Sequence, residues 1–230
     1  IFTDLDGTLL NYFSYSFQPA APLLENLAKR AIPVIMNSSR NGAEVMHIRQ
    51  KMGNRDPFIV ENGAAVYLPK WQFPVMPDGC SDVDGFWRFS IARPKEHWLK
   101  MMEQFDSEFT SLYTPMSSMD HEEIEEITGF SSDEVVRATK REYSESMLFH
   151  GRKEDKKLLI EIIEGWGGYV LEGGRFLHIG DRVSKGSAMQ WLLRCFEHHF
   201  PTRRFQTFAL GDSPNDVDML ETADYSVVVA

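Results

Sequence analysis

The chain has 230 residues, 43% of them hydrophobic and 25% charged, with a formal net charge of −10; that is enough to bury a full core, as one large domain or two modest ones. No run approaches the eighteen apolar residues of a membrane span, and the negative balance excludes a broad electrostatic grip on nucleic acid. The two cysteines, Cys80 and Cys195, are far apart in sequence and form no Cys-x-x-Cys pair, which excludes a disulfide framework or a zinc site and makes a reducing cytoplasm the expected setting.

Ile1-Phe2-Thr3 predicts a short buried strand that ends in Asp4-Leu5-Asp6-Gly7-Thr8. In extended backbone the side chains at i and i+2 point the same way, so Asp4 and Asp6 can face one reacting centre while Gly7 lets the chain turn sharply. One carboxylate of such a pair can attack phosphorus while its neighbour handles the proton. The same residues would also make an ordinary Asx-rich turn. A calcium loop is excluded, because its twelfth position falls on Tyr15 rather than on glutamate.

Pro22 to Arg30 reads as a helix with Leu23, Leu24 and Leu27 on one face, and Ile32 to Met36 as a second strand ending in Asn37-Ser38-Ser39-Arg40. Val45, Ile48 and Met52 mark the next helix. Phe58 to Val60 is a third strand, followed by Glu61-Asn62-Gly63 and a short strand over Ala64 to Leu68. Strands alternating with helices predict crossovers and a parallel sheet covered on both faces. Ser38 and Ser39 offer hydroxyls to a phosphoryl oxygen where a helix is expected to start; one is expected to bind and the other to cap.

The rhythm breaks over Pro69 to Gly85, a stretch rich in Pro, Gly and Asp that reads as a boundary. Beyond it, Glu96 to Phe109 predicts a helix whose stripe of Trp98, Met101, Met102, Phe105 and Phe109 is core, and Asp120 to Glu126 reads as a solvated helix face. Ser146 to Phe149 is a strand and Glu154 to Glu164 a helix. Tyr169 to Leu171 and Phe176 to His178 flank a Gly173-Gly174 hairpin signal. After Asp181 come a helix over Ser187 to His198, a strand over Phe205 to Leu210 and a last strand seeded at Ser226 to Val229. The expected organisation is a core of residues 1–84 and 181–230 with an inserted module, 85–180, of domain size that acts as a lid. The natural chain is expected to extend past both ends, so targeting signals are not legible in these residues.

Ligands of open α/β sheets sit beyond the carboxyl ends of the strands. Two more segments fall there. Lys185, at the entry of the Ser187 helix, would neutralise a carboxylate nucleophile and a phosphoryl group, or else be a solvated lysine. Gly211-Asp212-Ser213-Pro214-Asn215-Asp216 follows an apolar strand and offers hard oxygen ligands suited to magnesium, or a plain Asx turn.

In their order along the chain, Asp4-Leu5-Asp6-Gly7-Thr8, Ser38, Lys185 and Gly211 to Asp216 resemble the four motifs of the haloacid dehalogenase superfamily of phosphatases, over essentially the whole length. The resemblance implies an α/β fold, a Rossmann-like parallel core with an inserted α/β cap, and a Mg²⁺-dependent phosphomonoesterase working through an aspartyl phosphate. It implies Asp4 as nucleophile, Asp6 as general acid/base, and Ser38 and Lys185 as binders of the transferring phosphoryl. Mg²⁺ would be held by Asp4, the backbone carbonyl of Asp6 and Asp212, with Asp216 in support.

Three strings are similar to the mannosyl-3-phosphoglycerate phosphatases of the capped sugar-phosphatase branch: Pro57 to Ala64, Arg141-Glu142-Tyr143-Ser144-Glu145, and Gly173 to His178. The implied substrate carries a phosphate, a carboxylate and a sugar, in a pathway to a compatible solute. Arg175 could clamp the glycerate carboxylate bidentately and Glu142 could accept from sugar hydroxyls. Arg40, where relatives commonly carry lysine, could sit near either anion; Ser39, Asn62 and Asn215 complete the expected substrate-binding set. Glucosyl-3-phosphoglycerate, sucrose phosphate and a hexose or nucleotide phosphate stay open as substrates, and a phosphosugar mutase or a non-catalytic binding protein as other classes.

Overall fold

Hydrophobic patterning and turn chemistry place most elements. In chain order the computed structural model, which describes residues 1–105, 107–173 and 175–229, forms β1 (Phe2–Thr3), α1 (Ala21–Lys29), β2 (Ile35–Asn37), α2 (Gly42–Met52), β3 (Phe58–Val60), β4 (Ala65–Pro69), β5 (Cys80–Val83) and β6 (Phe86–Ser90). There follow α3 (Lys95–Met102), α4 (Ser107–Thr110), β7 (Tyr113–Pro115), α5 (His121–Thr128), α6 (Ser132–Ala138), β8 (Glu145–Phe149), α7 (Lys153–Gly165), β9 (Tyr169–Gly173) and β10 (Phe176–Gly180). The chain closes with α8 (Lys185–His199), β11 (Phe208–Gly211), α9 (Val217–Thr222) and β12 (Tyr225–Val228). Among the described residues no helix is long and apolar enough to cross a membrane.

The chain divides into two units, Ile1–Arg40 with Val45–Ile91 and Val183–Ala230, and Asn41–Glu44 with Ala92–Arg182. In the first, one sheet runs β12-β11-β1-β2-β3-β4-β6-β5. It is parallel from β12 to β3, the expected Rossmann-like core, and continues antiparallel through β4, β6 and β5. The cause is connection length. Only the short turn Glu61–Gly63 and Ala64 link β3 to β4, and a parallel return needs a dozen residues or more. β5 and β6 are likewise joined by Asp84-Gly85 alone, with φ of 37° and 84°, the left-handed pair that a two-residue hairpin requires. The Pro- and Gly-rich stretch thus carries an edge hairpin rather than a domain boundary, and the inserted unit begins at Ala92. Phe2, Ile35, Ile59 and Ala209 of the sheet pack with Met189, Leu192 and Phe196 of α8. On α1, Leu23 faces solvent. Burial pushes the free thiols of Cys80 and Cys195 up to about 11 and about 12, so both stay protonated at neutral pH.

The second unit carries the antiparallel sheet β7-β8-β10-β9, against which α3 and α7 place Trp98, Met102, Leu159 and Ile163 with Met147, Leu177 and Ile179. The expected helix over Glu96 to Phe109 is two shorter ones. After Met102 the backbone tightens, Gln104 N–H donating to the Met101 carbonyl and Phe105 N–H to that of Met102, a helix-ending pattern; Asp106 lies outside the described residues. Gly174 of the expected Gly173-Gly174 turn also lies outside them, as does Ala230, while β9 and β10 pair as an antiparallel hairpin on either side. The acidic run is α5, capped reciprocally by Asp120 and Glu123 and ended by left-handed Gly129. Arg93 donates through its backbone N–H and its guanidinium to Asp181, tying together the two chain ends of the inserted unit.

His178, on β10, is half-buried with Nδ1 2.9 Å from Ser146 Oγ. Burial first, and then the Arg141 charge, push its pKa down to about 3. The folded state therefore keeps it neutral while the unfolded chain protonates it near its ordinary 6.5. Its contribution to stability is complete above about pH 6.5 and is lost as pH falls toward 3. His178→Gln is expected to remove a stability slope of about 1.4 kcal/mol per pH unit over that window, read from urea unfolding at pH 7, 6 and 5. Parallel curves for both proteins would contradict the assignment.

Candidate active site

The parallel register fixes where the polar strand ends meet. Thr3 lies beside Met36 of β2 and Leu210 of β11, so the residues that follow, Asp4, Asn37 and Gly211, emerge at one edge of the sheet with Ser38 and Asp212 next in line. Asp4 N–H continues the ladder, donating to the Leu210 carbonyl at 2.9 Å. The chain then turns through Gly7, whose φ is 84°. A Cβ there would strike the Asp212 carboxylate, its Cγ being 3.0 Å away. Glycine is thus required both for the turn and for the close approach of Asp212. Thr8 Oγ1 donates to Asp212 Oδ1 at 3.2 Å.

Lys185 is fully buried at the first position of α8, where the helix dipole disfavours a cation by a few tenths of a kcal/mol. Two carboxylates outweigh that cost. Its Nζ donates to Asp4 Oδ1 at 2.5 Å and to Asp216 Oδ1 at 2.6 Å. The helix start is fixed independently by Ser184, whose Oγ accepts from Ser187 N–H at 3.1 Å, and by Asn37, whose amide donates to the Lys185 carbonyl at 3.0 Å. Asp216 uses its second oxygen to gather the loop, accepting from the backbone N–H of Asp212 and of Ser213, each at 3.1 Å. Asn215 extends this by donating to Asn62 Oδ1 at 2.9 Å, across from a left-handed Asn62 with φ of 60°.

Burial pushes the Asp4 carboxyl up to about 6, with Lys185 pulling the other way. Oxygens of Asp4, Asp212 and Asp216 all lie within 4.8 Å of one another, with Asp212 the exposed member. Four carboxylates, counting Asp6, face two cations, Lys185 and Arg40. The excess negative charge and the hard oxygen donors fit a divalent cation, which would pull the Asp4 pKa down again.

Ser38 is buried; its Oγ accepts from Arg40 N–H at 3.1 Å, which leaves its own hydrogen for an incoming oxygen. Ser39 follows it, and the reciprocal cap of α2 comes after both serines. It is made by Asn41, whose N–H and Oδ1 exchange hydrogen bonds with Glu44 at 3.0 and 3.1 Å. Arg40 lies on Asp6, Nε donating to Oδ2 at 2.8 Å and Nη2 to Oδ1 at 2.7 Å. The first unit thus brings together Asp4, Asp6, Ser38, Ser39, Arg40, Asn62, Lys185, Asp212, Asn215 and Asp216. Glu142 and Arg175 belong to the inserted unit. There the Glu142 carbonyl accepts from Lys95 N–H at 2.7 Å and Arg175 Nη1 donates to the Ile127 carbonyl at 2.5 Å. Sequence reasoning passed over Thr8, Asn37 and Tyr15. The first two stand inside recognised motifs; Tyr15 has no motif to mark it.

A family model described as haloacid dehalogenase-like hydrolase matches residues 1–75 and 95–230. The chain is 36% identical, over all 230 of its residues and 84% of the relative, to a glucosyl-3-phosphoglycerate/mannosyl-3-phosphoglycerate phosphatase of Persephonella marina. Among solved structures it matches a haloacid dehalogenase-like hydrolase from B. subtilis with a TM-score of 0.64 at 19% identity, covering 99% of this chain and 88% of that one. A subclass IIB sugar phosphatase matches with a TM-score of 0.62 at 18% identity, covering 99% and 92%. At those identities the two structures speak for the fold.

Proposed function

The chain belongs to the haloacid dehalogenase-like hydrolases and is a phosphoric monoester hydrolase, and from that premise we propose that it releases phosphate from mannosyl-3-phosphoglycerate through an aspartyl phosphate on Asp4. The observation that carries the reading is the Lys185 ammonium set between Asp4 and Asp216, beside Asp212, at the ends of adjacent strands. The sugar–glycerate substrate is supported by the Persephonella marina relative, whose name covers both the mannosyl and the glucosyl ester.

In this reading an Asp4 oxygen attacks phosphorus as the bond from phosphorus to the ester oxygen breaks, and Asp6 gives its proton to the departing alkoxide. Asp6 then takes a proton from water, which attacks the same phosphorus; the bond to Asp4 breaks and phosphate leaves. Lys185 and the Ser38 hydroxyl hold the phosphoryl oxygens in line, which is where most of the barrier reduction in such transfers comes from. Asp4, Asp212 and the Asp6 carbonyl, with Asp216 in support, are the residues that would hold Mg²⁺, which when bound supplies positive charge against the transferring group. Glu142 and Arg175 are proposed to meet the sugar hydroxyls and the glycerate carboxylate.

The test is a phosphate-release panel of mannosyl-3-phosphoglycerate, glucosyl-3-phosphoglycerate, sucrose phosphate and a hexose phosphate, with Mg²⁺ and with EDTA. The two phosphoglycerate esters should lead, EDTA should abolish release, and excess Mg²⁺ should restore it. A preference for an ester without a carboxylate would count against the substrate, and full activity in EDTA against the metal.

A further inference from the structure

Arg40 meets the Asp6 carboxylate edge-on, with two parallel hydrogen bonds at 2.8 and 2.7 Å. A fork of this kind fixes the plane of a carboxylate as well as its position, which a lysine ammonium, a single point charge, does not do. The pair is part-exposed, with Arg40 and Asp6 side chains 25% and 34% accessible, so its value as a salt bridge is small, about 0–1 kcal/mol. Its value lies in geometry. Arg40 is itself restrained: its N–H donates to Ser38 Oγ at 3.1 Å, its carbonyl accepts from Glu61 N–H at 2.9 Å, and its guanidinium carbon lies 5.4 Å from the centre of the Tyr15 ring. Tyr15 is presented by a short loop built on Asn11, whose Oδ1 accepts from the N–H of Phe13 and of Ser14 at 3.1 and 3.0 Å and whose carbonyl accepts from Tyr15 N–H at 2.9 Å.

We propose that Arg40, backed by Tyr15, is the positioning residue of the Asp6 acid/base, orienting that carboxyl group so that the proton carried on its outward edge reaches the ester oxygen, and is not a cation that binds substrate. The proposal rests on the phosphatase reading above. A misplacement of about 1 Å in a reacting group costs on the order of a hundredfold in rate, and in phosphoryl transfer to Asp4 it would fall on those esters whose leaving group needs a proton.

That selectivity is measurable with aryl phosphates that share a phenoxy framework and lack a carboxylate but differ in their need for protonation, phenyl phosphate and 2,4-dinitrophenyl phosphate. The quantity is kcat/KM, which covers events up to phosphoryl transfer to Asp4 and omits the later hydrolysis. Arg40→Ala should lower kcat/KM for phenyl phosphate on the order of tenfold to a hundredfold and for the dinitrophenyl ester by less than about threefold. Arg40→Lys, which keeps the charge and loses the fork, should recover little of the difference. An equal fall on both esters, as expected of a substrate-binding or merely structural arginine, would overturn the proposal, and so would full recovery by lysine. Absence of turnover of every aryl and sugar ester by the unaltered chain would overturn the phosphatase reading, and this proposal with it.

Discussion

Asp4→Asn is expected to reduce phosphate release on the order of ten-thousandfold to a millionfold, the scale seen when a covalent nucleophile is removed, while the chain stays folded. The amide is nearly isosteric and a poor nucleophile toward phosphorus. Stability is preserved because Lys185 keeps its second partner, Asp216, at 2.6 Å, so the substitution leaves no unpaired buried charge. Steady-state phosphate release together with circular dichroism checks both halves. A folded variant retaining a tenth or more of the activity would show that another group attacks phosphorus.

Lys185→Met, by contrast, should damage the fold as well as the activity. It withdraws the cation from between two carboxylates that are themselves buried, Asp4 and Asp216. Breaking a buried pair from one side costs about 3–5 kcal/mol, because the abandoned charges pay full desolvation. For a chain of this length that corresponds to a fall in Tm of about 6–20 °C, measured in EDTA so that no divalent cation replaces the lost charge. A shift of less than about 2 °C would mean that the ammonium does not hold the two acids together.

Much of this site could be read from the chain because its parts sit where strands stop. Asp4, Ser38 and Asp212 each follow an apolar strand, and parallel neighbours in register put such ends side by side without further information. Lys185 was legible by motif order alone; its burial depends on the acids it meets, which lie 181 and 31 residues away. What stayed hidden was set by short connections and by partners distant in sequence. The Asp84-Gly85 hairpin was submerged in a stretch that read as a linker, and with it the antiparallel edge of the sheet. Asn41 took the capping role expected of a serine because the helix starts at Gly42, later than Ser38-Ser39 implied. The Arg40–Asp6 fork spans 34 residues, and Tyr15 acts only through Arg40, so neither spacing nor composition pointed to them.

The proposed turnover consists of two successive displacements at phosphorus, the first by Asp4 and the second by water. Each inverts the phosphorus centre, so hydrolysis of an isotopically chiral phosphorothioate monoester in labelled water should give thiophosphate with net retention of configuration. Net inversion would mean a single direct attack by water, and the role assigned to Asp4 would fall.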